Sequence, residues 1–289
     1  MVSYLINGIS LGAVYAIIAL GYTMVYGIAK MLNFAHGDVI MVGGYMAYCS
    51  TSYLGWHPAA AILFSMLVCT ILGILVEGLA YKPLREASSL AVLITAIGVS
   101  YFLQNAALLI FSSNPKAFPK LFDLPTMEVG DATVTGIAVV TIVTCIVIMV
   151  ALMIFTGKTK MGKAMRAVSE DKGAALLMGI NVNYTISVTF AIGSALAAIA
   201  GVLLCNAYPT LMPTTGAMPG IKAFTAAVFG GIGSIPGAML GGILLGVIEI
   251  FAKAYISTQL SDAIVFAVLI IVLIVKPTGL LGKKLTEKV

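Results

Sequence analysis

The sequence predicts an all-α integral membrane protein: a polytopic helical bundle of about eight to nine spans, with interrupted helices. Three observations predict it. Of the 289 residues, 61% are hydrophobic and only 9% are charged, whereas soluble domains carry about 25% charged residues. Apolar runs of roughly 17 to 25 residues, the length that crosses a hydrocarbon core, recur from end to end. The basic residues fall in clusters between these runs, and no polar stretch is long enough to fold on its own. Residues 1–289 therefore read as one transmembrane domain.

In order, hydropathy and length give candidate spans at 4–28, 37–54, 58–80, 90–111, 134–156, 186–207, 218–233, 236–256 and 260–276. The first has no Lys or Arg before it and is longer than the apolar region of a signal peptide, so it reads as a retained span. The second follows Lys30 and Asn33 without a clear polar loop, and the seventh is short.

Basic clusters at Lys82 and Arg85, at Lys158, Lys160, Lys163, Arg166 and Lys172, and at Lys276, Lys283, Lys284 and Lys288 mark the cytoplasmic side. The 112–133 loop then lies outside, where Lys116 and Lys120 are balanced by Asp123, Glu128 and Asp131. An odd number of spans puts the N-terminus outside; a re-entrant second segment would change that. The net charge of +5 is dispersed among short loops, which fits membrane orientation and anionic lipid rather than a nucleic-acid partner. Cys49, Cys69, Cys145 and Cys205 lie singly in apolar segments and read as buried, inert thiols.

The basic stretch GKTKMGKA, Gly157 to Ala164, matches all but the last position of a phosphate-binding loop. That motif needs a preceding strand and a final Ser or Thr for Mg²⁺. Here an apolar span precedes it and Ala164 ends it, so no nucleotide site is expected. The stretch opens a cytoplasmic loop of roughly residues 157–185 instead. Within GKAMRAVSEDKGAALLMG, Met165, Val168, Leu176 and Leu177 are apolar among charges, and Ser169 is placed to cap a helix starting at Glu170. Two short amphipathic helices fit, either lying on the membrane surface or inserted into a cytoplasmic partner. The spacing Ala174-Ala175, three residues, Gly179 resembles the coupling loop of ABC-importer permeases, where small residues permit close contact with the ATPase. Gly173 stands where the common pattern has Glu, so a salt bridge from that position does not carry over.

Inside the membrane, polar residues are costly and point to function. LNFAHGD, Leu32 to Asp38, lies between two apolar runs with Gly37 as interrupter. A half-helix starting at Gly37 or Asp38 directs its positive N-terminal end into the protein, where a carboxylate in transit is attracted. The competing reading is that Asn33, His36 and Asp38 hydrogen-bond one another and the freed backbone, holding the break rigid. His36 has no neighbouring ligand at metal spacing, so no metal is expected. His57, beside Trp56 and Pro58, reads as interfacial.

In GGIGSIPGAMLGGILLGVIE, Gly237 with Gly241 and Gly242 with Gly246 are small residues four apart that allow close helix packing. Ser234 to Gly237 supplies a tight turn between spans. Glu249 needs a partner, and Lys253 is four residues away. Glu77, near Tyr81, Lys82 and Arg85, reads as a structural anchor.

Taken in order, GISLGAVYAIIALGYTMVYGI, LNFAHGD, VEGLAYKPLR, GKAMRAVSEDKGAALLMGINV and GGIGSIPGAMLGGILLGVIE resemble the shorter permease of bacterial branched-chain amino-acid ABC transporters. The resemblance spans nearly the whole chain. It implies a multi-pass inner-membrane location, the ABC-importer permease fold, and a transport subunit with no cofactor or nucleotide site of its own. The implied partners are a second homologous permease, two cytoplasmic ATPases and a periplasmic substrate-binding protein. Leucine, isoleucine and valine are the implied cargo; other amino acids, urea or short amides share the motifs. The broken helix makes Asn33, His36, Gly37 and Asp38 the expected translocation path, and the loop, through the spacing that resembles the coupling loop, makes Gly162, Arg166, Glu170, Ala174, Ala175 and Gly179 the expected ATPase-coupling residues. An ion-coupled secondary transporter would show more ionisable groups deep in its spans than Asp38, Glu249 and Lys222. A membrane enzyme would need a nucleophile with a base, or a metal cluster.

Overall fold

The computed structural model describes residues 1–122, 124–129 and 132–282; Asp123, Asp131, Lys283, Lys284 and Lys288, used above, lie outside them. In chain order the helices are α1 (Val2–Ala29), α2 (His36–Ser52), α3 (Pro58–Val76), α4 (Ser89–Phe111), α5 (Gly136–Lys158), α6 (Lys160–Glu170), α7 (Lys172–Leu177), α8 (Val182–Ala207), α9 (Ala217–Gly230), α10 (Ile235–Tyr255) and α11 (Ser261–Val275). A π turn, Glu77–Tyr81, and a 3₁₀ turn, Lys82–Leu84, prolong α3. Six helices, counting α3 with this extension, are long and apolar enough to cross a membrane. The shorter α2, α9 and α11 match the remaining candidate spans. Four short strands pair in two places: Lys116–Ala117 (β1) with Thr210–Leu211 (β4), and Met127–Val129 (β2) with Ala132–Val134 (β3).

Polar side chains set the helix starts, as unpaired first-turn amides require. His57, Ser88, Thr159, Asp171, Asn181 and Ser234 each accept a bond from a backbone N–H two or three residues on. Pro58 and Pro236 add preset backbone angles in the first turn. Ser169 does not cap a helix at Glu170: its hydroxyl donates to Arg166 O, and Asp171, in extended backbone, ends α6 and caps α7 through Ala174 N at 2.9 Å. Aspartate serves as a cap as well as serine does, and the register favours it here.

Lys172 of α7 reaches the last carbonyl of α1, Ala29 O, at 3.0 Å. The C-terminal end of α1 thus lies on the side of the basic loop, which is cytoplasmic, and α1 runs inward. From Lys30, in left-handed backbone at φ 59°, the chain turns back into the bundle. His36 packs edge-on against Tyr22, ring centroids 4.6 Å apart, about 10 Å inside the end of α1. Helix α2 is therefore a half-helix from mid-membrane to the outside. On the other side, the chain leaves α8, pairs through β4 with β1, and descends to Gly216, which meets Gly37. Helix α9 starts there and ends beside Gly27 at the cytoplasmic face, where Gly27 and Gly233 approach.

This path makes α8–α11 an inverted counterpart of α1–α4, with α5 between. The packing of α1 on α10 is matched by α8 on α3, and that of α2 on α8 and α3 by α9 on α1 and α10. The two repeats cross at Gly21 and Gly193: a Cβ on either would lie 3.3 to 3.5 Å from the other's carbonyl. Close glycine contacts replace side-chain packing along α1–α10, where Cβ atoms on Gly8 and Gly12 would lie 2.8 and 2.6 Å from the backbone of Val247 and Ile243. Gly242 and Gly246 meet Ala16 and Gly12 in the same contact, whereas Gly237 and Gly241 pack against Gly230 and Ala226 of α9. The core is centred on α1, buried along most of its length, and on α8.

Candidate functional site

Asn33, His36 and Asp38, in and just after the α1–α2 break, are buried, and Asn33 and Asp38 are satisfied from elsewhere in the fold. Asn33 Oδ1 accepts from Tyr81 Oη at 2.9 Å, and Asp38 Oδ1 accepts from Gln104 Nε2 of α4 at 2.8 Å. The expected side-chain bonds among Asn33, His36 and Asp38 are replaced by these long-range partners; only the His36 N–H bonds the Asn33 carbonyl, at 3.1 Å. Helix α2 begins at His36, without a side-chain cap. Among the described residues His36 Nε2 has no hydrogen-bond partner. Gly37 sits backbone to backbone on Gly216 and Gly220, so the N-terminal ends of α2 and α9 converge at mid-depth and concentrate positive potential there.

A charge cluster occupies the other repeat. Glu249 of α10 is buried and accepts from Tyr15 at 2.8 Å, Lys222 at 2.8 Å and Lys253 at 2.6 Å. Lys222 of α9 also pairs with Asp262 of α11 at 2.6 Å. The expected Glu249–Lys253 pair is present, but it is one half-buried arm of a network tying four helices, α1, α9, α10 and α11, together. The cluster borders an open cleft of about 230 Å³ lined also by Leu204, Tyr208 and Met218, on the outer side of α9. Sequence spacing gave no sign of the Tyr15 and Lys222 contacts, because 234 and 27 residues separate the partners from Glu249.

On the side of the basic loop, the residues expected to couple to an ATPase sit in different surroundings. Gly162 lies against the backbone of Phe155 and Thr156, so a Cβ there would collide with the end of α5. Arg166 Nη2 donates to Gly157 O at 2.9 Å. Ala175 is buried with Met165 and Val168, whereas Glu170 and Ala174 face outward. Gly179 has φ +79° with nothing within 4 Å of a Cβ position, so its requirement here is conformational. Beside it Leu176, Leu177 and Met178 are 64%, 90% and 82% exposed. Burial, and then the nearby charges of Arg85 and Lys30, lower the pKa of Lys172.

Glu77 is buried at the start of the π turn. It accepts from Arg85 and from Ser187 Oγ at 2.6 Å, and Arg85 also binds Asn183 near the start of α8. All four cysteines are free, with only Cys49 partly exposed. Among the described residues no group of three or more His, Cys, Asp or Glu is arranged for a metal.

A family described as branched-chain amino acid transport system, permease component, matches residues 4–273. The chain is 46% identical over 295 residues to the high-affinity branched-chain amino acid transport system permease protein LivH of Escherichia coli, covering 98% of this chain and 96% of that protein. It is also 46% identical to the BraD permease protein of Pseudomonas aeruginosa, covering 99% and 97%. Among solved structures, PsaBC from Streptococcus pneumoniae in complex with Fab matches over 95% of this chain and 92% of that chain, with TM-score 0.50 and 17% identity, a likeness of fold alone.

Proposed function

The chain belongs to the branched-chain amino acid transport system permease family, and we propose that it is the membrane-spanning subunit of an ATP-driven importer of leucine, isoleucine and valine. Relatives named for that transport, similar over nearly the whole chain, support the cargo. We assign ATP hydrolysis to two cytoplasmic ATPases, delivery of cargo to a periplasmic binding protein, and the second half of the pathway to a homologous permease.

The observation that carries the ATPase partnership is the knob Leu176-Leu177-Met178, fully presented on a loop otherwise covered by charges. Such apolar exposure outside a membrane marks a protein contact. Arg166 and the Gly162 contact hold α6 against α5, so a push on the knob moves α5 and α8 with it. Closure of the ATPases then tilts these helices and alters access to the Asn33–Asp38 break. Facing half-helix N-termini favour the carboxylate of an amino acid in transit.

Gentle purification of the tagged chain from its native membrane tests this reading. Recovery of a second permease and paired ATPases is expected. A chain arriving alone, even after crosslinking, would overturn it and favour ion-coupled transport.

A further inference from the structure

Two independent ties run from the coupling segment to the six residues between α1 and α2. At the start of α7, Lys172 Nζ holds Ala29 O, the carbonyl immediately before the left-handed turn at Lys30. At the start of α8, Asn183 and Ser187 hold Arg85 and Glu77. The π turn that begins at Glu77 ends at Tyr81, whose hydroxyl holds Asn33. Glu77 and Tyr81 are almost completely buried, and each contact joins groups far apart in the chain. A π turn is a local register fault that reverts to α-helix by a one-residue shift, and such turns gather at functional sites. Reverting it would rotate Tyr81 relative to Glu77 and release Asn33.

We infer that Glu77, Tyr81 and Lys172 are positioning residues through which movement of the coupling segment sets the conformation of the Lys30–Ala35 break. The inference rests on the ATP-driven reading above and gives Glu77 more than an anchoring role. When α7 and α8 move together, Lys172 draws on the start of the break at Ala29 and the Glu77–Tyr81 turn on its interior at Asn33. The break therefore follows the ATPases without touching them.

Amide hydrogen exchange of residues 31–36 in the intact purified complex, nucleotide-free against ATP-vanadate-trapped, reads this directly. Wild type is expected to change its exchange between the two states. Tyr81→Phe, which removes one hydroxyl, should lose that change and lower uptake about tenfold, the scale of one buried hydrogen bond. ATP hydrolysis should stay within about twofold of wild type. Lys172→Met tests the second tie from outside the bundle and keeps the question open should Tyr81→Phe fail to assemble. A nucleotide response retained in both variants would overturn the inference, as would uptake and hydrolysis falling in parallel. A purified complex without ATPases would overturn this inference and the functional reading together, and that outcome is recognised before exchange is measured.

Discussion

Gly37 and Gly216 meet backbone to backbone where the two half-helices begin: a Cβ on Gly37 would lie 2.7 Å from the Gly216 carbonyl. This contact joins the inverted repeats at mid-depth. Gly37→Val and Gly216→Val should each reduce membrane accumulation and uptake, overpacking of this kind costing about 1–3 kcal/mol. Gly98→Val, where nothing lies within 4 Å, should leave accumulation unchanged. Immunoblots of membrane fractions with matched uptake assays check the contrast.

Glu249 receives three donors in a buried site. Glu249→Gln should destabilise the protein by about 1–3 kcal/mol, because three donors lose a charged acceptor while Lys222 keeps Asp262. Lys253, 34% exposed, is the dispensable arm, and Lys253→Met should cost under about 1 kcal/mol. Thermal unfolding in detergent, followed by size-exclusion chromatography, ranks the two.

Leu177→Asp changes a side chain that is 90% exposed. Protein in the membrane should stay at the wild-type level while recovery of ATPases falls at least about tenfold, as expected when a charge enters an apolar contact. Pull-down with quantified bands measures it.

Gly179→Leu imposes left-handed strain of about 1–2 kcal/mol on the turn after α7 and redirects the knob. Uptake should be lost with the protein still in the membrane, whereas Gly173→Ala, in ordinary helical backbone, should transport normally. Normal uptake by the Gly179 variant would count against the coupling role.

Much of the fold was legible because lipid imposes simple rules. Each apolar run became a helix, and the glycines of α10 are packing glycines against α1 and α9. The interruption at Gly37 was visible as polar residues between apolar runs. Its counterpart at Gly216 was not, because Met212 to Pro219 carries no ionisable residue to mark the descent into the membrane. For the same reason the inverted repeat shows in the packing and not in the sequence. The site was legible residue by residue but not partner by partner: Asn33 with Tyr81, Asp38 with Gln104 and Lys222 with Asp262 are separated by 40 residues or more. Periodicity speaks only for neighbours within a turn or two.

The most direct test of the central claim is ATP-dependent uptake of labelled leucine by vesicles that contain the purified complex and the binding protein. Uptake that requires enclosed ATP, saturates with the loaded binding protein and is competed by isoleucine and valine is the predicted result. Leucine entry without ATP, driven by a proton or sodium gradient, would contradict the account, as would ATP hydrolysis with no leucine movement.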